Sequence, residues 1–377
     1  MSFVCKLFKP LIPNSPVRFG KIRGVIVVAT LIMLLSSPAT FISTSAQTDD
    51  DPFARIEAAL VSSVEHDIFS GAILIASDGE ILLEKGYGYA VREWEVPNTP
   101  ESVFLIASLT KQFTAMAVLL LQERGLLTVQ DPICQYIEDC PEAWSEITIH
   151  HLLNHTSGIP DFIGFPDFRQ TQTMSSRPLE TIERFRDKPL AFVPGEDWYY
   201  SNSGYIVLGY IIEEVSGDSY QTFLRQNIFE PLGMQNTGYP SARRIVEHWA
   251  QGYSNARSKA DYLHVSITYA AGGLYSTVGD LYLWNQALYG GKVVSQESWD
   301  AMLDAAYTFP DGVQYGYGLV INNVADQPFI GHSGGINGYS SHMAYFTEEN
   351  TMIILLENLE ANPITLVNMF AQILFED

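Results

Sequence analysis

The pattern of apolar and polar residues divides the chain into strand-like ends and a helical middle. Near the start, Asp51 and Pro52 match the cap and first position of a helix. The predicted buried stripe of that helix is Phe53, Ile56, Leu60 and Val64. Two apolar runs, 72–76 and 81–84, flank a Ser-Asp-Gly turn and predict a β-hairpin. A long apolar helix is expected over 111–124, with Gly125 as its stop.

From about residue 128 to about residue 260 the pattern favours loops and helices, with little strand signal. Further helices are predicted over 203–215, 220–228, 277–288 and 364–375. Strand patterns return over 315–321, 328–330, 340–346 and 352–357. Strands at both ends of a chain with a helical middle predict an α/β (α+β) fold, in which one antiparallel sheet is flanked by helices and carries an inserted helical domain.

Ser108 and Lys111 form an S-x-x-K pattern at the head of the long apolar helix. Three residues are just under one helical turn, so the hydroxyl and the amine share a face, with Cβ atoms about 5–6 Å apart. A lysine can take the serine proton when burial or a neighbouring cation lowers the lysine pKa. The first turn also offers free backbone N–H groups to a developing oxyanion. The alternative is a surface serine and lysine that fall three apart by chance.

Tyr200-Ser201-Asn202 precedes the apolar helix predicted over 203–215, which places it on a loop held by packed elements. A tyrosine near cations can share its phenolic proton and relay protons between a serine and a leaving group. Asn202 offers a donor and an acceptor for positioning an amide. The same three letters recur at Tyr253, in a polar stretch that predicts a surface loop. Tyr200 is favoured because functional sites belong on rigid elements.

His332-Ser333-Gly334-Gly335 follows an apolar segment and precedes a predicted strand. Small residues there would let a substrate backbone lie along the strand edge, with a backbone N–H pointing into the site. His332 can add positive charge or hydrogen bonds beside the tyrosine and the lysine. The same segment matches G-x-S-x-G, the nucleophile elbow of α/β-hydrolases. That fold needs an acid and a histidine downstream and alternating strands and helices, so this alternative is disfavoured.

Three histidines, His150, His151 and His155, lie close together in sequence and could suggest a metal site. They lack the H-E-x-x-H spacing and an obvious third ligand, so structural roles are favoured and no metal is expected. The segment 154–160 that follows predicts a loop fixed by side-chain hydrogen bonds, bordering the site rather than performing the chemistry.

The first 46 of the 377 residues contain five basic residues, no acidic residue, an apolar stretch over 25–35 and small residues at 44–46. This pattern predicts an export signal, followed by a catalytic domain over 47–377. An uncleaved N-terminal membrane anchor is the alternative. Loss of residues 1–46 would change the formal charge from −22 to −27, and so acidic a chain repels nucleic acid and anionic lipid. A periplasmic or extracellular location is expected.

Cys134 and Cys140 are the two cysteines that follow the predicted signal. In an oxidising compartment they are expected to form a small local disulfide, because a metal site needs more ligands than this segment offers.

The ordered set of S-x-x-K, then Y-S-N, then a strand with H-S-G resembles the serine β-lactamase and penicillin-binding-protein superfamily, and most closely its class C β-lactamase, D-alanyl-D-alanine carboxypeptidase, D-aminopeptidase and esterase branch. Stretches such as HLLNHTSGIPD and AAGGLYSTVGDLYLW share this likeness, which covers roughly residues 55–375. The resemblance implies an antiparallel sheet, an inserted helical domain and a cleft between them.

Carried over by motif, Ser108 would be the acylated nucleophile, with Lys111 and Tyr200 sharing the general base and acid work. Asn202 would position the substrate amide. The backbone N–H groups of Ser108 and Gly335 would form the oxyanion hole. No metal or organic cofactor is implied.

His332 takes the place that lysine holds in the K-T-G motif of most β-lactamases. A permanent lysine cation suits the carboxylate of a penicillin, whereas histidine resembles the D-specific peptidases and some esterases. A serine hydrolase of small amides, peptides or esters is therefore predicted, of the D-alanyl peptidase or esterase type. The alternatives are a class C-like β-lactamase, a penicillin-binding sensor that acylates without turnover, and a silent scaffold. Selectivity is expected to depend on loops 162–177 and 241–264.

Overall fold

The strands of the main sheet come from the two ends of the described chain, with short strands between them. The computed structural model describes residues 51–241, 243–304 and 307–375, so the predicted export signal at 1–46 lies outside the described residues. The strands are β1 (Gly71–Ser77), β2 (Glu80–Tyr87), β3 (Tyr89–Val91), β4 (Val96–Pro97), β5 (Phe104–Leu105), β6 (Tyr253–Asn255), β7 (Ser258–Lys259), β8 (Tyr275–Ser276), β9 (Tyr307–Thr308), β10 (Gln314–Tyr315), β11 (Val320–Val324), β12 (Gln327–Ile336), β13 (Tyr339–Phe346) and β14 (Thr351–Glu357).

Helices cover the sheet and fill the middle of the chain. They are α1 (Pro52–Glu65), α2 (Thr110–Glu123), α3 (Ile149–Leu153), α4 (Phe168–Thr171), α5 (Pro178–Ile182), α6 (Asn202–Ser216), α7 (Tyr220–Leu224), α8 (Glu230–Leu232), α9 (Val265–Gly272), α10 (Val278–Tyr289), α11 (Gln296–Asp304) and α12 (Pro363–Phe375). Among the described residues, no helix is both long enough and apolar enough to cross a membrane.

The main sheet is antiparallel and joins distant segments, which confirms the predicted fold class. Within the described residues its eight strands follow the order β2-β1-β14-β13-β12-β11-β10-β9. Strand β1 pairs with β14 from Gly71 opposite Glu357 to Ser77 opposite Thr351. The predicted hairpin is the pair β1 and β2. The short strands β6 and β7 and helices α3 to α8 fall between residues 128 and 260, and the extent of this region as an inserted domain stays a prediction.

Side chains that alternate along the strands enter two separate cores, because successive residues of a strand point to opposite faces. On one face Ile353 and Leu355 of β14 pack against α1 and α12. On the other face Ile354 and Leu356 join the core that surrounds α2 and the middle helices. Helix α2 is buried along nearly its whole length, so its first turn lies in the interior beside the sheet.

Three sequence expectations about elements are wrong in detail. The strand predicted over 315–321 is two strands, β10 and β11, because Gly318 adopts φ +70° and approaches the Lys111 carbonyl so closely that a Cβ would lie 2.8 Å from it. The strand predicted over 328–330 continues through the glycine pair as β12. The helix predicted over 220–228 becomes a π-helical turn at Arg225–Phe229.

The predicted local disulfide is confirmed. Cys134 and Cys140 are bonded, with their Cα atoms 5.3 Å apart.

Candidate active site

Ser108 lies in a 3-10 turn, Ala107–Leu109, which leads directly into α2. The sequence placed the serine in the first turn of the helix itself, whereas the α-helix begins two residues later. Ala107 adopts φ +46°, a left-handed backbone that is uncommon for a residue with a Cβ and typical of strained functional turns. A Ser341 Oγ hydrogen bond to the Ile106 carbonyl, 2.8 Å, helps to hold the turn against β13.

Gly334 allows β12 to pack closely against this turn. A Cβ on Gly334 would lie 2.4 Å from Ser341 Oγ, 2.6 Å from the Ile106 carbonyl and 2.9 Å from the Ser108 nitrogen. The lack of a side chain therefore serves the contact between strand and serine turn. Gly335 is different, since a Cβ there would have nothing within 4 Å. Gly335, rather than Gly334, has open space beside it for a substrate.

Lys111 is fully buried one turn along from Ser108. Its Nζ donates to Ser108 Oγ at 3.2 Å, to Asn202 Oδ1 at 2.8 Å and to the Ala271 carbonyl at 2.7 Å. The last acceptor is available because Ala271 lies in the last turn of α9, where backbone carbonyls have no partner within the helix. The structure thus brings the amine and the hydroxyl together as the S-x-x-K pattern predicts.

Burial lowers the pKa of Lys111 to about 7, and the negative charge of Asp161 acts in the opposite direction and raises it. Desolvation disfavours a charged amine, so a large share of the lysine is neutral near pH 7. A neutral lysine within hydrogen-bond reach of a serine hydroxyl can act as its general base.

Tyr200 approaches the same oxygen from the loop before α6. Its hydroxyl donates to Ser108 Oγ at 2.9 Å, and Lys111 Nζ lies 4.8 Å from the centre of its ring. Burial raises the pKa of Tyr200 far above its ordinary value, and the hydrogen bond to Ser108 opposes this only in part. The phenol therefore stays protonated at neutral pH, and Lys111 is the better base of the two.

Asn202 is held between a cation and an anion. Its Oδ1 accepts from Lys111, and its Nδ2 lies 3.3 Å from both carboxylate oxygens of Asp161. Asp161 Oδ1 also accepts from the Asn202 backbone N–H at 3.2 Å. Burial raises the pKa of Asp161, and the nearby Lys111 lowers it. These contacts fix the side-chain amide of Asn202 at the wall of the cleft.

His332 lies beside this group, and of the two contributions expected from the sequence, positive charge or hydrogen bonds, it makes the hydrogen bonds. It is buried on β12, and burial lowers its pKa to about 3, with a further lowering by the Lys111 charge. Its Nε2 is 3.0 Å from the Tyr315 hydroxyl, and its Nδ1 donates to the Ser333 carbonyl. The ring is neutral near pH 7, and its centre lies 6.3 Å from that of Tyr200.

A cleft of about 500 Å³ opens over Ser108. Strand β11 pairs with β12 only as far as Gly331, and the described strands leave the following part of that edge unpaired beside the cleft. The residues that line the cleft include Ser108, Asp161, Tyr199, Tyr200, Asn202, Thr268, His332, Ser333, Gly334, Gly335, Ile336, Asn362 and Ile364. All eight predicted site residues are therefore at or directly beneath one cleft.

Three residues at this site were missed or undervalued by sequence reasoning. Asp161 lines the cleft. His155 was expected to border the site, but its ring centre lies 4.4 Å from that of Tyr200. Tyr315 lies between His155 and His332. Asp161, a half-buried acid, and His155, which has a left-handed backbone with φ +65°, carry no local sequence signal that distinguishes them from ordinary loop residues.

The other histidines have structural contacts. His150 Nδ1 is 2.7 Å from the Tyr317 hydroxyl, and His151 forms a capping box with Thr148 at the start of α3. Across residues 51–241, 243–304 and 307–375, no group of three or more histidine, cysteine, aspartate or glutamate side chains is placed to hold a metal ion.

The family model described as Beta-lactamase matches residues 53–370. The chain belongs to the beta-lactamase family. A penicillin-binding protein of Bacillus subtilis (strain 168) is 32% identical over 311 residues, which cover 78% of this chain and 68% of that protein.

Two solved structures are similar to the structure of this chain. The octameric penicillin-binding protein homologue from Pyrococcus abyssi has a TM-score of 0.75 and 32% identity, covering 85% of this chain and 77% of the other. A D-amino acid amidase from Ochrobactrum anthropi SV3 has a TM-score of 0.77 and 26% identity, covering 85% and 98%. Membership of this family and these relatives support a serine hydrolase in general.

Proposed function

We propose that this protein is an exported serine hydrolase that forms an acyl-enzyme on Ser108 and cleaves small amides, peptides or esters of the D-alanyl type. One observation carries the proposal: Ser108 Oγ lies 3.2 Å from a buried lysine amine and 2.9 Å from the half-buried Tyr200 phenol. Amidase and penicillin-binding relatives support the reaction class. Removal of Ser108 tests it.

The proposed reaction uses the two proton carriers in turn. Neutral Lys111 accepts the Ser108 proton as Oγ attacks the carbonyl carbon, and the carbonyl electron pair moves to oxygen. Backbone N–H groups of Ser108 and Gly335 stabilise that oxyanion. The C–N or C–O bond then breaks, and the Tyr200 hydroxyl passes a proton to the leaving group while Lys111 replaces it. A water molecule attacks the acyl-enzyme by the same proton path and releases the acid.

The charges around the cleft favour a substrate without a carboxylate at the reacting end. Among the described lining residues, Asp161 is the one carboxylate and none is a lysine or arginine, while Lys111 lies beneath the serine. His332 is neutral because burial lowers its pKa to about 3. A permanent cation that would hold a penicillin or C-terminal carboxylate is thus missing from the described lining, whereas Asp161 suits a nearby substrate amine.

A comparison of substrates tests whether the protein hydrolyses amides, peptides or esters. The purified protein is mixed with D-alanine amide, D-alanyl peptides and p-nitrophenyl esters, alongside their L-isomers where these exist. We expect turnover of the uncharged esters and D-amides, and none with Ser108→Ala. Turnover that is unchanged in Ser108→Ala would contradict the proposal.

A second candidate is penicillin binding without turnover, which the penicillin-binding relative favours. A fluorescent penicillin would then form a stoichiometric adduct on Ser108 that is not released. Repeated turnover of nitrocefin would instead support a class C-like β-lactamase.

A periplasmic or extracellular location is part of the proposal. Its support is the basic and apolar composition of residues 1–46 and the Cys134–Cys140 disulfide, since disulfides persist in oxidising compartments. Fractionation of cells that express the full chain, with a reducing gel for the disulfide, tests it.

A further inference from the structure

A chain of hydrogen bonds runs behind the catalytic group from the loop of Tyr200 to strand β12. It starts at the Ser201 backbone N–H, which is 3.2 Å from His155 Nδ1. His155 Nε2 is 3.2 Å from the Tyr315 hydroxyl, and that hydroxyl is 3.0 Å from His332 Nε2. His332 Nδ1 ends the chain at the Ser333 carbonyl.

The backbone groups at the two ends determine where the protons lie. A backbone N–H can only donate, so His155 Nδ1 must be an acceptor and the ring proton of His155 must be on Nε2. A backbone carbonyl can only accept, so His332 Nδ1 must carry a proton. His332 is 5% exposed and close to the Lys111 charge, which favours a neutral ring with an unprotonated Nε2.

Tyr315 also interacts with the hydroxyl of Tyr205, but only one orientation of its own hydroxyl makes hydrogen bonds to both histidine rings. Its oxygen accepts from His155 Nε2–H, and its proton is donated to His332 Nε2. All four hydrogen bonds therefore point in the same direction, from the loop to the strand. Such chains polarise one another and resist partial disruption, because each buried member would otherwise lose its partner.

The two ends of this chain are the two walls of the cleft. Ser201 lies between Tyr200 and Asn202, and the His155 ring also packs on Tyr200 with centres 4.4 Å apart. Ser333 lies two residues before Gly335 on the strand edge. A fixed distance between these walls determines how the phenol and the strand N–H meet one substrate carbonyl.

We propose that His155 and Tyr315 are positioning residues, which hold Tyr200 and β12 in catalytic register through a unidirectional hydrogen-bond chain of neutral side chains. The kinetic part of this inference rests on the proposed hydrolase function. The proton arrangement does not, because it can be measured in the resting protein.

The first test is ¹⁵N NMR of histidine-labelled protein, which distinguishes an Nδ1–H ring from an Nε2–H ring. The signals of the eight histidines are assigned with variants in which one histidine at a time is replaced. We expect His155 to carry its proton on Nε2 and His332 on Nδ1. In Tyr315→Phe the Nε2 signal of His332 should lose its hydrogen-bond shift, and the His155 Nε2 proton should exchange faster. The opposite tautomer at either ring would overturn the proposal, whether or not the protein turns over any substrate.

The second test is kinetic and uses a matched pair. Tyr315→Phe removes only the hydroxyl at the centre of the chain, and we expect kcat for ester hydrolysis to fall about tenfold with a smaller change in KM. Tyr317→Phe is the control, because the buried Tyr317 also forms a hydrogen bond with a histidine, the half-buried His150, at 2.7 Å. It should leave kcat within about twofold.

The outcomes separate positioning from a general structural role. Equal losses in Tyr315→Phe and Tyr317→Phe, or an unchanged kcat in Tyr315→Phe, would overturn the proposal. If Tyr315→Phe does not fold, His155→Gln and His155→Leu replace it, since a glutamine amide can accept from Ser201 and donate to Tyr315. Glutamine should retain about tenfold more kcat than leucine, and equal loss in the two variants would count against the chain. Failure of the wild type to turn over any substrate would refute the hydrolase proposal, and the NMR result would still stand.

Discussion

The chain carries tyrosine, serine and asparagine twice in that order, and the two copies have different surroundings. Tyr200 ends a loop before α6 and donates its hydroxyl hydrogen bond to Ser108. Tyr253 begins the short strand β6, donates to Glu93 and accepts from the Arg92 backbone N–H at 2.8 Å. Its ring is buried, so the surface loop expected from the sequence is wrong for Tyr253.

Both phenols lie near a cation, and the burial of that cation is what differs. Lys111 lies 4.8 Å from the Tyr200 ring centre and is fully buried. Arg92 lies 5.6 Å from the Tyr253 ring centre and forms an ion pair with the exposed Asp67. An arginine with such a partner keeps its charge and cannot take a proton, whereas a desolvated lysine can. The Tyr-Ser-Asn triplet is therefore part of a reactive centre only where a buried amine and a serine hydroxyl lie beside its tyrosine.

The largest loss of activity is expected when the Ser108 hydroxyl is removed. This hydroxyl is the partner of Tyr200, and Tyr253 has no such partner. Ser108→Ala should lower kcat for ester hydrolysis by at least about 10⁴-fold, because no acyl-enzyme can form. The matched control is Ser254→Ala, in the second copy of the triplet, which should retain full activity. Steady-state hydrolysis of a p-nitrophenyl ester measures both, with circular dichroism to confirm folding.

The next effect separates the two tyrosines directly. Tyr200→Phe should lower kcat by about 10² to 10⁴-fold, since proton transfer to the leaving group loses its donor. Tyr253→Phe should leave kcat and KM within about twofold. Comparable losses of activity in the two variants would break the distinction between the sites.

A smaller effect concerns the pH dependence of the base. Lys111 must be neutral to accept a proton, and its pKa is about 7, so kcat/KM should rise as the pH increases through about 7. Asp161 raises the Lys111 pKa, and Asp161→Asn should therefore shift this rise to lower pH. The control is Asp67→Asn, which removes the ion-pair partner of Arg92 near the second tyrosine and should not move the profile. A shift to higher pH in Asp161→Asn would contradict the assignment of Lys111 as the base.

The smallest effect concerns stability at the second copy. Tyr253→Phe removes hydrogen bonds to Glu93 and to the Arg92 backbone, and the melting temperature should fall by about 2–4 °C. Differential scanning calorimetry of Tyr253→Phe, Tyr200→Phe and the wild type measures this. An unchanged melting temperature in Tyr253→Phe would show that its contacts contribute nothing to the fold.

The elements that local sequence patterns determine could be predicted from the sequence. That one antiparallel sheet joins the two ends of the chain followed from the strand patterns there, and α2 with its Gly125 stop followed from a run of apolar helix formers. The break between β10 and β11 could not be predicted, because Gly318 packs against the Lys111 carbonyl, which lies more than 200 residues earlier in the sequence. The grouping of Ser108 with Tyr200 came from motif order rather than from physical pattern.

The site residues that sequence reasoning missed depend on tertiary contacts. Asp161 resembles any loop aspartate until Asn202 and Lys111 are placed beside it. Tyr315 looked like an ordinary strand residue, and only the fold puts its hydroxyl between two histidines. His332 was expected to add positive charge or hydrogen bonds, and the motif left this choice open because burial, which keeps the ring neutral, cannot be read from a motif.

The central claim is that the Ser108 hydroxyl is the nucleophile because neutral Lys111 accepts its proton, while Tyr200 supplies a proton to the leaving group. Intact-protein mass spectrometry after brief mixing with an activated p-nitrophenyl ester tests this most directly. The account predicts one acyl group on the wild type, mapped by proteolysis to the peptide that contains Ser108, and none on Ser108→Ala. Acylation at another residue, or equal acylation of Ser108→Ala, would contradict it.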